Sequence, residues 1–219
     1  MINYGQSSLD WLATMKAMTE QKVGRPRAFD RDQALFQALN VFWRLGYEGA
    51  SLSDLTEAMG INRPSLYAAF GNKEQLFREV LARYHELSVP SIAMALEHAE
   101  IYVALEQLLR INIRQITNPN VPAGCLLIRG VPVCNDTTAP IYQAVVDQRL
   151  GQESLIRERL EQSAQAGELA ANVDPVDLAR TIMAFSNGLS IQSVNGATHA
   201  ELERSVELFL RGLKVLLVA

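Results

Sequence analysis

Residues 51–70 read SLSDLTEAMGINRPSLYAAF, and the interpretation of this stretch decides the fold. Leu52, Leu55, Ala58 and Met59 recur at 3–4 spacing, which predicts a short helix over about residues 53–59. Gly60 stands where that helix must end, because glycine enters the left-handed region without a Cβ penalty. Ile61 follows as an apolar plug. Asn62 is a good N-cap for a second helix, and Pro64 sits in its first turn, where a missing N–H costs nothing. Leu66 and Phe70 lie four apart and face inward. Helix, glycine turn, plug and capped second helix make a helix-turn-helix, the arrangement in which the second helix enters a DNA major groove.

On that reading Asn62, Arg63, Pro64, Ser65 and Tyr67 lie away from the Leu66–Phe70 line and are candidate DNA contacts. Arg63 reaches bases from the helix N-terminus; a guanidinium donates two hydrogen bonds to guanine O6 and N7, which discriminates by roughly 1–3 kcal/mol. Tyr67 offers a hydroxyl to phosphate. Ser51 and Ser53 flank the start of the first helix, so one caps it while the other is available to a phosphate oxygen. Lys73 opens the next helix with a positive charge near the DNA backbone. Upstream, residues 22–31 (KVGRPRAFDR) carry four cations against one acid. Gly24 and Pro26 keep Arg25 and Arg27 in extended backbone suited to phosphates or a minor groove. Asp30 caps a bracing helix with Leu35, Ala38, Leu39 and Phe42 on its apolar stripe, ending at Gly46. Residues 1–21 form an N-terminal extension, expected to be loose as termini often are.

The remainder reads as helix throughout. Leu76, Phe77, Val80, Leu81 and Tyr84 mark a long helix from Lys73, with a kink or break expected near Val89 because of Pro90. Further helices are expected from Ser91, over about residues 102–116, and over about residues 141–165. Residues 125–134 (CLLIRGVPVC) are ambiguous, and in isolation read equally as a strand. Asp174-Pro175 starts a helix carrying Leu178, Ile182, Phe185 and Leu189; Thr198 caps another carrying Leu202, Val206, Phe209, Leu213 and Leu216. Such seams suit helix-on-helix packing. A hairpin at a chain end has little of its own chain to cover both sides, so these nine residues are expected to form a homodimeric four-helix interface rather than internal core.

Composition is that of an ordinary globular protein, with 48% hydrophobic and 20% charged residues among 219. The net charge of −4 argues against a generic nucleic-acid coat, but residues 1–80 hold nine Lys/Arg and nine Asp/Glu, so the whole excess of acid follows residue 80. A neutral reader joined to an acidic body suits basic groups placed locally. No basic region precedes a long apolar run, so no signal peptide is expected, and two cysteines do not suggest a secreted disulfide scaffold; a reducing cytoplasm is expected. His85, His98 and His199 have no partner at metal-ligand spacing, and no nucleotide loop or nucleophile elbow occurs, so neither metal, cofactor nor catalysis is expected. In a continuous helix Cys125 and Cys134 would stand roughly 13 Å apart, beyond the ~7 Å reach of a disulfide, so a bridge requires a bend at Gly130 or Pro132. Cys125 is otherwise a candidate for electrophile capture, with Arg129 four residues on to lower its pKa if the segment is helical. The other reading of both cysteines is as small buried hydrophobes.

GRPR, a bracing helix and then GYEGASLSDLTEAMGINRPSLYAAFGNKEQLFREVL resemble the tetracycline-repressor (TetR) family across about residues 27–87, most specifically in GINRPSLYAAFGNKEQLF. The resemblance implies an all-α homodimer: a helix-turn-helix DNA-binding domain over residues 22–88, then a helical ligand-binding and dimerisation domain over residues 89–219. It also implies a repressor that a small-molecule inducer releases from a palindromic operator, with DNA contacts at Arg63, Pro64, Tyr67 and Lys73. The alternative from another class is a helical enzyme or carrier whose N-terminal part serves only for interaction.

Overall fold

The computed structural model describes residues 29–130 and 138–218; Arg25, Arg27, Cys134 and the extension over residues 1–21 lie outside them. The described elements are α1 (Arg31–Gly49), α2 (Leu52–Met59), α3 (Arg63–Phe70), α4 (Lys73–Leu96), α5 (Ile101–Ile116), α6 (Leu126–Arg129), α7 (Ala139–Gln165), α8 (Pro175–Val194) and α9 (His199–Leu213), then a 3-10 turn at Lys214–Leu216. The fold is all-α. Contacts gather the chain into two units: residues up to Ser88 together with Arg129–Val145, and Val89–Ile128 together with Val146–Ala219. Among the described residues, no helix is long and apolar enough to cross a membrane.

The first unit begins at Asp30, whose carboxylate accepts the N–H groups of Asp32 and Gln33 at 3.0 and 3.1 Å. Regular helix in α1 ends at Gly46 (φ 73°, ψ 169°), as its position predicted, and a last turn carries the chain to Gly49. Leu39, Phe42, Leu55, Leu66, Leu76 and Phe77 are fully buried. Phe77 meets Phe42 edge-on at 4.9 Å between ring centroids, and Tyr84 meets Trp43 at 5.2 Å. Each such pair adds about 0.5–1.5 kcal/mol beyond its buried area. At the mouth of this core Arg31 joins three elements. It donates to Glu79 at 2.7 Å and to the Ala69 carbonyl at 3.2 Å, and its guanidinium lies 4.5 Å over the Phe70 ring.

Pro90 does not break the chain: α4 runs unbroken from Lys73 to Leu96, in place of the two runs expected either side of Val89. A proline ring has helical φ, and its cost is confined to one lost bond and local crowding. Residues 126–129, within the segment that also read as strand, are helical.

In the second unit α5 packs between α8 and α9, burying Leu105, Leu109 and Ile113 completely. That packing takes in six of the nine residues of the expected dimer seam. Leu178, Ile182, Leu189, Leu202, Val206 and Leu213 are buried in the chain's own core, and only Phe185, Phe209 and Leu216 remain partly exposed. Much of the apolar spacing of the seam is met within the chain by α5, from some eighty residues upstream.

Gly124 enters this unit under constraint. Its φ is +83°, and an added Cβ would lie 2.6 Å from Val194 Cγ2 and 3.2 Å from the Ser190 carbonyl oxygen. Gly124→Ala is therefore expected to destabilise the protein by about 1–3 kcal/mol, since overpacking and a strained φ act together. Urea unfolding checks this; an unchanged midpoint would show that the 124–125 backbone can move away at no cost.

Candidate nucleic-acid interface

The geometry of the reading pair follows from its caps. Ser51 Oγ accepts the Asp54 N–H at 3.1 Å, and Asp54 returns a carboxylate to the Ser51 N–H at 2.9 Å. This reciprocal box fixes where α2 starts. Ser51 is thus the capping serine, and Ser53 the one left for other work. The hydrogen bonds from the Ser51 hydroxyl and N–H hold the Asp54 carboxyl below its ordinary value. A depressed carboxylate contributes stability that is full above its unfolded pKa and is lost as pH falls through the folded one. A carbon-detected NMR titration is expected to place the Asp54 midpoint below the usual aspartate range, and Ser51→Ala to move it back up. Equal midpoints in the two proteins would remove the box as the cause.

Gly60 takes the left-handed conformation (φ 65°, ψ 29°) and turns the chain from α2 into α3. Asn62 Oδ1 then accepts the Ser65 N–H at 2.9 Å, and Pro64 occupies the first turn, as the sequence indicated. Leu66 and Phe70 anchor α3 in the core, which leaves Asn62, Arg63, Pro64 and Tyr67 on the exposed side, with Ser65 half-buried. Arg63 Nη2 donates to Ser53 Oγ at 2.9 Å, so the second serine meets the reading arginine. The bond tethers the guanidinium across the turn. Tyr67, 50% exposed, lies on the outward side of α3.

A second basic group stands beside α3. Asn72 and Gln75 exchange side-chain and backbone hydrogen bonds at 2.8 and 2.9 Å, capping α4 so that Lys73 is its first residue. There the positive end of the helix dipole reinforces its charge toward an anion. Lys73 Nζ lies 4.6 Å over the Tyr47 ring. Partial burial pulls its pKa below the ordinary lysine value, with Glu48 opposing the shift. The Tyr47 ring also packs against Phe42 and Phe77, and the Tyr47 N–H donates to the Gly130 carbonyl at 3.3 Å. Sequence reasoning passed over Tyr47. Little local marks it: Phe42 is five positions away, but Lys73, Phe77 and Gly130 are 26 to 83 positions away.

In the second unit Cys125 stands one residue ahead of α6 and lines a cavity of about 60 Å³, whereas Arg129 ends α6 with an exposed side chain. Two residues of the cavity's lining, Asn112 and Ser190, were missed by the sequence reading. The Asn112 amide nitrogen and the Ser190 hydroxyl are buried without a hydrogen-bond partner. Their signal was present: Asn112 interrupts the apolar row of Leu105, Leu108, Leu109, Ile113 and Ile116, and Ser190 follows Leu189.

Residues 35–80 match the bacterial regulatory proteins of the tetR family, and residues 103–209 match the tetracyclin repressor-like C-terminal domain. The HTH-type transcriptional repressor ComR of Escherichia coli is 34% identical over 190 residues, spanning 86% of this chain and 90% of ComR. A second repressor of that organism, BdcR, is 32% identical over 126 residues, 55% of this chain and 64% of its own. Among solved structures, a cysteine mutant of the TetR family transcriptional regulator CifR, complexed with a 26-base-pair operator duplex, is 40% identical. It superposes with a TM-score of 0.81 over 86% of this chain and 98% of CifR. The chain belongs to the tetR family of bacterial regulatory proteins.

Proposed function

We propose that this protein is a sequence-specific transcriptional repressor that binds a palindromic operator as a homodimer and leaves it when a small molecule enters the second unit. The observation that carries the reading is the outward face of α3, where Arg63 and Tyr67 are exposed on a helix whose opposite face is locked into the core. Arg63 reads a base edge, Tyr67 and Lys73 meet phosphates beside it, and Arg25 and Arg27 follow the backbone or the adjacent minor groove. Ser53 hands Arg63 from its intramolecular bond to the DNA. Asn62 and Ser51 set the two helix starts, and Ser65 and Pro64 shape the first turn of α3.

Support for the homodimer comes from the exposed apolar side chains of α8 and α9. Ile191 and Val194 on α8, Leu208 on α9 and Val215 just beyond it are 41–78% exposed, an apolar set a second copy would cover. Phe185 and Phe209, stacked at 4.0 Å, lie partly exposed on the same two helices. For an inducer to weaken operator binding a hundredfold, its preference between the two states must be at least about 2.7 kcal/mol. Residues 125–130 are the segment through which we route that preference. Cys125 lines the cavity, Arg149 holds α6 through the Leu127 carbonyl, and Gly130 accepts the N–H of Tyr47, on whose ring Lys73 rests.

The experiment is operator selection from random duplex DNA. Enrichment of a palindrome, with half-sites about one helical turn apart, is expected. No enrichment at any salt concentration would dismiss the sequence-reading role.

A further inference from the structure

The cavity beside Cys125 has a chemical character of its own. It is lined by Ile92, Leu108, Ile111, Ile156 and Met183 on one hand, and by amides and hydroxyls on the other. Among the described residues, its wall holds no acid, lysine, arginine or histidine. Within it the Asn112 Nδ2 donor and the Ser190 Oγ, the latter on a residue only 2% exposed, find no hydrogen-bond partner. Buried polar groups are ordinarily paired, and one left open in a lined cavity marks the place of a missing partner. Gly124 lies alongside Ser190, where an added Cβ would come within 3.2 Å of the Ser190 carbonyl oxygen and 3.5 Å of its hydroxyl.

We infer that this cavity takes a small uncharged molecule carrying a carbonyl-type acceptor oxygen, which receives hydrogen bonds from Asn112 and Ser190 while its apolar part lies on the Ile and Met side. This rests on the proposed small-molecule control of the second unit and specifies the class of molecule. A carboxylate or an ammonium ion is excluded by desolvation, because the wall holds no countercharge to repay it. The volume of about 60 Å³ admits only a handful of non-hydrogen atoms without movement of the walls.

Cys125 supplies the readout. Iodoacetamide and iodoacetate have nearly the same shape, but the first is a neutral carbonyl amide and the second an anion. Either forms a C–S bond with the thiolate as iodide leaves, the thiol proton having gone to solvent. The rates at Cys125, resolved from Cys134 by peptide mass spectrometry, are compared with those of 2-mercaptoethanol at the same pH. The folded protein is expected to favour iodoacetamide at least about tenfold more than the free thiol does. Asn112→Leu and Ser190→Ala, each checked for folding by circular dichroism, are expected to slow iodoacetamide by about threefold or more. A wild-type ratio equal to that of mercaptoethanol would overturn the inference without recourse to any variant. So would iodoacetamide rates that neither substitution changes. Operator binding by the unalkylated protein is measured in parallel. Binding without discrimination at Cys125 sinks the ligand class and leaves the repressor standing; discrimination without binding does the reverse.

Discussion

Arg63→Ala weakens binding to the selected operator by about thirtyfold or more and relaxes sequence preference at one symmetric pair of positions. One arginine–guanine contact is worth roughly 1–3 kcal/mol, and a dimer makes the contact twice, so about 2–6 kcal/mol is at stake. The side chain is exposed and, among the described residues, bonds only to Ser53 across the turn, so the variant is expected to keep the stability of the parent. That separates a lost contact from a lost fold. Tyr67→Ala gives a contrasting signature. A phosphate contact carries no base information, so affinity falls by a similar factor on all sequences and the selected palindrome is unchanged. The check is fluorescence anisotropy on the selected duplex and on single-position variants of it, at fixed salt. Undiminished affinity for Arg63→Ala would mean that α3 lies across the groove with another face inward.

The punctuation of the reading head was legible because it is local. Gly60 stops α2 by its own backbone freedom, Asn62 caps α3 with its own side chain, and Asp30 starts α1 in the same way. None of these needs a distant partner. The α8–α9 seam was legible only by half. A 4, 3, 4 spacing reports that one face is apolar, but not what covers it, and α5 does so here by a packing that periodicity cannot register. The setting of the cations was legible only in part for the same reason. Lys73 was recognisable as a candidate contact, yet its seat on Tyr47, and the link from Tyr47 to Gly130, join residues whose proximity is a product of the whole first unit. Asn112 and Ser190 were open to notice as polar residues in apolar company. The sequence alone does not say whether such a residue is paired, and their unpaired state is what gives them meaning.

The other large effect lies in the core beneath that seat. Phe77 is fully buried, with its ring 4.9 Å from Phe42 and 5.1 Å from Tyr47, so Phe77→Ala removes the surface on which both rest. Truncating such a phenylalanine costs about 3–5 kcal/mol. In a unit of this size each kcal/mol shifts the melting temperature by roughly 4–8 °C, enough to melt the reading head well below the parent protein. Phe77 belongs to the first unit and the core of α5, α8 and α9 to the second, so calorimetry is expected to show the loss in one transition only. Operator binding should fail over the same temperatures at which that transition occurs. Phe77→Leu keeps apolar volume, is expected to cost less than about 1.5 kcal/mol, and should retain binding. A uniform shift of every transition would instead show that the two units unfold as one. The platform under Lys73 would then depend on the body, and a molecule in the cavity would act on DNA binding through stability as well as through residues 125–130.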